Sequence, residues 1–240
     1  MALADPFFWT ALAKIIGVNI VLSGDNAVVI ALAARSLPRK QQKQAIFWGA
    51  GAAVVLRIAL TIVAVKLLEL PYLKLVGAAA LLWIAVKLLV PEDDEGEGVE
   101  ASSHLLGAIK TILIADLVMS TDNVIAVAAA AKGSILLLVL GLLISIPLVI
   151  FGATLLMVLM ERYPVIIALG AAVLGWTAGE MAVTDPALAD WIKNNAGWLD
   201  WVGPALGAIA VVAVGKGLGR RKDAKSEASV PAAQPGPPPH

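Results

Sequence analysis

Two stretches of the chain carry the same polar cluster within apolar sequence. Val21-Leu22-Ser23-Gly24-Asp25-Asn26 and Val118-Met119-Ser120-Thr121-Asp122-Asn123 both read V-x-S-x-D-N, 97 residues apart, and each continues into an Ala-rich run ending in Arg35 or Lys132. What the two clusters share is oxygen: the carboxylates of Asp25 and Asp122, the amides of Asn26 and Asn123, and the hydroxyls of Ser23 and Ser120. Hard divalent cations such as Mn²⁺, Mg²⁺ and Ca²⁺ take donors of this kind. The chain has no cysteine, and histidine stands only at His104 and His240, so a thiolate site is excluded. Two carboxylates also balance a divalent charge, whereas a monovalent ion would leave the site negative in low dielectric.

Asp116 precedes Asp122 by six residues, as Asn19 precedes Asp25. Along an intact helix that spacing turns about 600°, which aims the two residues about 120° apart. Convergence on one ion therefore needs the backbone opened between them. Gly24 and the positions of Ser23 and Ser120 are where opening is expected, and it would free carbonyls as further ligands. Asn19 aligns with Asp116, so the second cluster has one more acid, either a peripheral ligand or a proton carrier. Glu180 and Asp185 lie further on and are expected to line an outward exit. For each buried aspartate a structural role stays open: pairing with Arg57, or a protonated form hydrogen-bonded between helices. Pairing with an acid is also the least costly way to keep Arg57 at depth.

The elements that hold these residues are membrane spans. Apolar residues make up 60% of the 240 and charged ones 15%, with a mean hydropathy of +0.87. Soluble domains have about 45–50% apolar and about 25% charged residues. The 18 basic and 18 acidic residues cancel, so no positive surplus points to nucleic acid. A carboxylate at the centre of a span costs about 2.5–3.5 kcal/mol on insertion scales, so acids placed there need a purpose.

Seven runs are long enough to span: roughly Phe7 to Ala34, Ala45 to Leu70, Tyr72 to Val90, Leu105 to Ala131, Ser134 to Leu159, Pro164 to Val183, and Trp201 to Leu218. Pro147 is expected to bend the fifth. The first run is too long and too polar for a cleavable signal peptide. Arg35, Arg39, Lys40 and Lys43 follow the first run and Arg220, Arg221, Lys222 and Lys225 the seventh. The positive-inside rule then puts the N-terminus outside and the C-terminus in the cytoplasm.

A second match supports an internal repeat. Gly77 to Ala85 pairs with Gly170 to Ala178 at an offset of 93, and Pro71 and Pro164 precede them at the same offset. Spans one to three then correspond to spans four to six, with the seventh extra. A three-span unit reverses direction on duplication, so the expected fold is all-α with two inverted repeats, which places a transporter's site near the midplane. The transmembrane domain is residues 1–219, with repeat one about 7–91, repeat two about 104–184 and the seventh helix about 201–219. Residues 220–240 read as a disordered cytoplasmic tail, and the acidic run 92–100 as a solvated linker. Trp83 and Trp176 read as packing, and Lys87 as snorkelling to the interface.

At these residues the sequence resembles the TerC family of integral membrane proteins, in its small YjbE-like branch. The resemblance rests on Ser23 to Ala27, Ser120 to Val124, Gly77 to Ala85 and Gly175 to Glu180, and covers about residues 7–218. It implies manganese efflux, with Asp25, Asn26, Asp122 and Asn123 as the ion site. It also implies a fold like that of the lysine-exporter superfamily, so export of an amino acid or other small polar solute stays as an alternative. A non-transporting partner in membrane-protein assembly is a third.

The expectation from the sequence is thus a divalent cation exporter of the cell membrane, working by alternating access. Mn²⁺ would be its cargo, protons its counter-ion and the bilayer its surroundings, with no permanent cofactor. An enzyme is not expected. No Ser-His, Cys-His or HExxH arrangement occurs, and no P-loop.

Overall fold

A computed structural model describes residues 6–21, 23–63, 70–90, 101–131 and 134–229, and among them every regular element is a helix. Side chains are described except at 6–7, 18–21, 62–63, 101–103, 121–123, 125–126, 128–130 and 222–229. The helices are α1 (Pro6–Val21), α2 (Gly24–Ala34), α3 (Arg39–Val63), α4 (Leu73–Leu89), α5 (Ala101–Ala131), α6 (Ile135–Arg162), α7 (Val165–Val183), α8 (Ala189–Asn195) and α9 (Leu199–Ser229). Among the described residues, Arg39–Thr61, Ile135–Arg162, Val165–Val183 and Leu199–Arg221 are long and apolar enough to cross a bilayer. The other long runs are shorter or more polar. The first is divided between α1 and α2, and the fourth, α5, carries the acids.

The core centres on α2. Its sequence GDNAVVIALAA is apolar on every side after the first turn, and from Asn26 to Ala34 all but Val28 are buried. An all-round apolar helix belongs in an interior. α2 meets Ile46 and Ala50 of α3, Leu81 and Ile84 of α4, Ile112 and Met119 of α5, and Leu174 of α7 in one cluster. A second cluster joins Phe8, Leu12 and Ile15 of α1 to Leu137 and Leu142 of α6. By helix pairs, α6 lies along α1 and α2, α3 along α5, and α4 along α7.

The seventh apolar run, α9, makes the most extensive helix contact of the fold, with α7. Gly175 and Gly179 face Gly203 and Gly207, so each helix presents Gly-x-x-x-Gly to the other. A Cβ on Gly175 would stand 2.5 Å from the Gly207 carbonyl oxygen. Small residues let two backbones approach this closely where lipid supplies no hydrophobic driving force.

Two expectations are corrected here. Trp83 is 64% and Trp176 40% exposed, so they sit on the outside of the bundle, where side chains meet lipid, and Lys87 Nζ lies 5.6 Å from the Trp83 ring centre. Helix α9 continues to Ser229, past the expected tail start at Arg220, because Lys-Asp-Ala-Lys-Ser-Glu-Ala is rich in good helix formers. The short helix α8 has no counterpart in the span reading. The acidic run 92–100 and residues 230–240 lie outside the described residues.

Candidate functional site

The first polar cluster sits at a backbone break. α1 ends at Val21 and α2 starts at Gly24, with Ser23 outside helical geometry at φ −109°, ψ 2°. The Ser23 carbonyl accepts from Ala27 N–H at 3.0 Å, and Asp25 Oδ1 accepts from Asn26 N–H at 2.8 Å. Gly24 and Ser23 are poor helix-interior residues, so the interruption falls where the sequence is weakest. Ser23 and Asn26 are buried, while Asp25 is only partly so.

The second cluster differs. α5 runs unbroken from Ala101 to Ala131, and the opening expected near Ser120 is absent. Thr121 stands where the first cluster has Gly24, and α5 has no glycine between Gly107 and Ala131. Positions 116, 120 and 123 therefore share one face of α5, and position 122 falls about 120° around from 116. The side chains of Asn19, Asp122 and Asn123 lie outside the described residues.

Between the clusters stands a cation. Arg57 of α3 is 3% exposed and Asp116 6%, and Arg57 Nη2 bonds Asp116 Oδ1 directly. Arg57 Nε donates to Ser120 Oγ at 3.2 Å, and Ser120 Oγ donates to Asp116 Oδ2 at 3.2 Å. One turn of α5 thus supplies both partners. Asp25 lies within electrostatic reach of Arg57 and Asp116. Arg57 and Asp116 line a small open cleft together with Ser23, Asn26, Ala53 and Val149, and Asp25 stands next to Asn26 at its edge. Arg57 was legible as a cation in need of an acid; the α6 wall left no signal in the sequence.

Among the described residues, no three carboxylate or imidazole side chains come together as a metal cluster. The described wall of the cleft offers Asp116 and the oxygens of Ser23 and Asn26, with Asp25 beside them on the first turn of α2. Those oxygens can take up a divalent cation provided Asp116 is released by Arg57, or provided Asp25 acts with groups outside the described set.

The two outlying acids do not join this cleft. Glu180 is exposed on the last turn of α7. Asp185 is fully buried and accepts backbone N–H bonds from Tyr72 at 2.9 Å, Leu75 at 3.1 Å and Ala187 at 2.8 Å. Tyr72, at φ 69°, is the residue before α4, so Asp185 caps that helix from the far side of the sequence. Burial alone would raise its carboxyl, but the N–H groups of Ala187, Tyr72, Leu75 and Lys74 hold it below the ordinary carboxylate range. The oxygens of Asp185 are committed to backbone, as a structural cap joining the α7–α8 turn to α4.

Residues 4–223 match the family of integral membrane proteins named TerC. The chain belongs to the TerC family. Similar relatives of this TerC protein include the Bacillus subtilis membrane protein YjbE, 45% identical over 77% of this chain and 84% of its own length. The Escherichia coli inner membrane protein YgdQ is 28% identical over 68% of this chain and 75% of its own. No solved structure matches this TerC chain.

Proposed function

We propose that this TerC protein exports a divalent cation, foremost Mn²⁺, by alternating access through the cleft between α2, α3, α5 and α6. The observation that carries the reading is the cleft itself. Buried oxygen donors from both repeated clusters face one space, beside a helix interrupted within an apolar run. Intramembrane carboxylates that line a cavity mark ion pathways, and interrupted helices supply the free backbone groups that hold ions at depth.

The whole-chain reading is seven spans in two inverted repeats, α1 and α2 together forming the first. The packing supports it. Exchanging α1/α2 with α5, α3 with α6, and α4 with α7 turns the contact of α6 on α1/α2 into that of α3 on α5, and both occur. The α3–α6 and α4–α7 contacts map onto themselves, and both occur as well. Asp25 and Asp122 are then repeat equivalents, Asp116 a supplementary group, and the net proton exchange the energy source.

The test is flux. Inside-out vesicles carrying the chain should accumulate Mn²⁺ when a pH gradient is imposed, with Ca²⁺ and Mg²⁺ competing less well. Asp25→Asn at equal abundance should stop the uptake. Uptake that is indifferent to Asp25→Asn, or absent in the parent chain, overturns the reading.

A further inference from the structure

The cleft already contains a cation of its own. Arg57 reaches it from α3, and its guanidinium holds the Asp116 carboxylate directly and Ser120 Oγ through Nε. Ser120 in turn donates to the other oxygen of the same carboxylate. The three groups form a closed ring with almost no exposure to solvent. A divalent cation entering beside Asp25 meets a positive charge already held on the supplementary carboxylate of Asp116. An ion that takes Asp116 competes with the guanidinium for the charge of one carboxylate and is repelled by it at close range.

Resting on the reading that a divalent cation is carried through this cleft, we infer that Arg57 is the tethered counter-cation of the empty carrier. Its guanidinium occupies Asp116 while no ion is bound and yields that carboxylate when one enters. Three features of the site suit this exchange. Arg cannot lose its proton within a protein, so the substitute charge is permanent. Its long stem lets the head move without displacing α3. Ser120 bonds both partners, so either can keep a hydrogen bond as they part. The consequence is asymmetric. The ion-loaded site can cross without Arg57, but the empty site, stripped of it, would carry two uncompensated carboxylates through low dielectric.

The experiment compares net transport with exchange in proteoliposomes of the full chain, alongside calorimetric Mn²⁺ binding. Arg57→Gln is expected to bind Mn²⁺ about tenfold more tightly, since a like charge has been removed from the site. Exchange of labelled for unlabelled Mn²⁺ should persist near the parent rate, while net efflux falls about tenfold or more. Arg57→Lys, which keeps the charge, should preserve net efflux. If Arg57→Gln lowers exchange and net efflux alike, or weakens binding, Arg57 is a structural ion-pair partner and the inference is overturned. Should Arg57→Gln not fold, the comparison moves to Asp116→Asn with and without Arg57→Gln. Removing the arginine should again tighten binding, and no tightening overturns the proposal. A parent chain that binds no Mn²⁺ overturns the transport reading itself, a result distinct from either.

Discussion

Asp116 and Arg57 each make the other tolerable at depth. Removing one partner of a buried pair leaves an uncompensated charge and costs about 3–5 kcal/mol, whereas replacing both by apolar groups can be nearly neutral. Asp116→Asn should therefore lower the melting temperature in detergent clearly, and Arg57→Met with Asp116→Leu should recover most of the loss. Equal melting of the single and double variants would show the pair to be unimportant for folding. Asp25 is less engaged, accepting from the adjacent Asn26 N–H and forming no ion pair among the described residues. Asp25→Asn should leave stability almost unchanged and weaken Mn²⁺ binding by about ten- to hundredfold, the equivalent of about 1.5–3 kcal/mol for a charge-assisted ligand, as calorimetry would measure. Asp185 behaves oppositely. Its folded carboxyl lies below its unfolded value, so its contribution is complete above about pH 4 and is lost as acid protonates the cap. A melting series from pH 7 to pH 3 should show an acid decline in the parent chain. In Asp185→Asn the midpoint at pH 7 should be lower and the decline shallower.

Among the elements, the α7–α9 pair is the least forgiving. Gly207→Val places branched carbon against the Gly175 carbonyl, and overpacking of this kind costs about 1–3 kcal/mol even where a neighbour can move. Here the neighbour is backbone. Gly207→Val should yield little folded protein on size exclusion, whereas Gly51→Ala, with nothing within 4 Å of the new atom, should elute and melt as the parent does. The glycine ladder stands in plain sequence, Gly175-x-x-x-Gly179 and Gly203-x-x-x-Gly207, yet reading α9 as an extra span hid its partner. That the long runs are helices was legible because apolar length is a local property, whereas the reach of α9 to Ser229 and the short α8 were not. The break at Ser23–Gly24 was also legible, from glycine and serine within an apolar run. The continuity of α5 was not: the repeat suggested symmetry, while Thr121 in place of Gly24 removed the residue that would have opened it. The partners of Asp185 were hidden for a related reason. Sequence marks an acid near a span end, but only the returning α4 N-terminus, 113 residues away at Tyr72, shows what it binds.

For the whole molecule, the seven-span reading puts the N-terminal end of α1 and the α7–α9 connection on the same side. On this cysteine-free background, Asn195→Cys should react with an impermeant maleimide added to intact cells, and Ser36→Cys only after permeabilisation. The reverse pattern would invert the orientation, and labelling of both from outside would defeat the span count. The exposed Trp191, Trp198 and Trp201 around α8 suit the headgroup level on that same side. The unequal clusters have one more consequence, for isotope exchange. In hydrocarbon an unsatisfied backbone group costs several kcal/mol, so a helix end within the bilayer is tolerated only where protein or water meets it. Ser23, the residue before α2, stands outside helical geometry, while the amides around Ser120 are enclosed in an intact helix. Deuterium should therefore enter at Gly24 and Asp25 well before the middle of α5, and Mn²⁺ should slow it there first. On the transport reading, the water path would then be written in backbone hydrogens, deep in a membrane where exchange elsewhere is nearly silent.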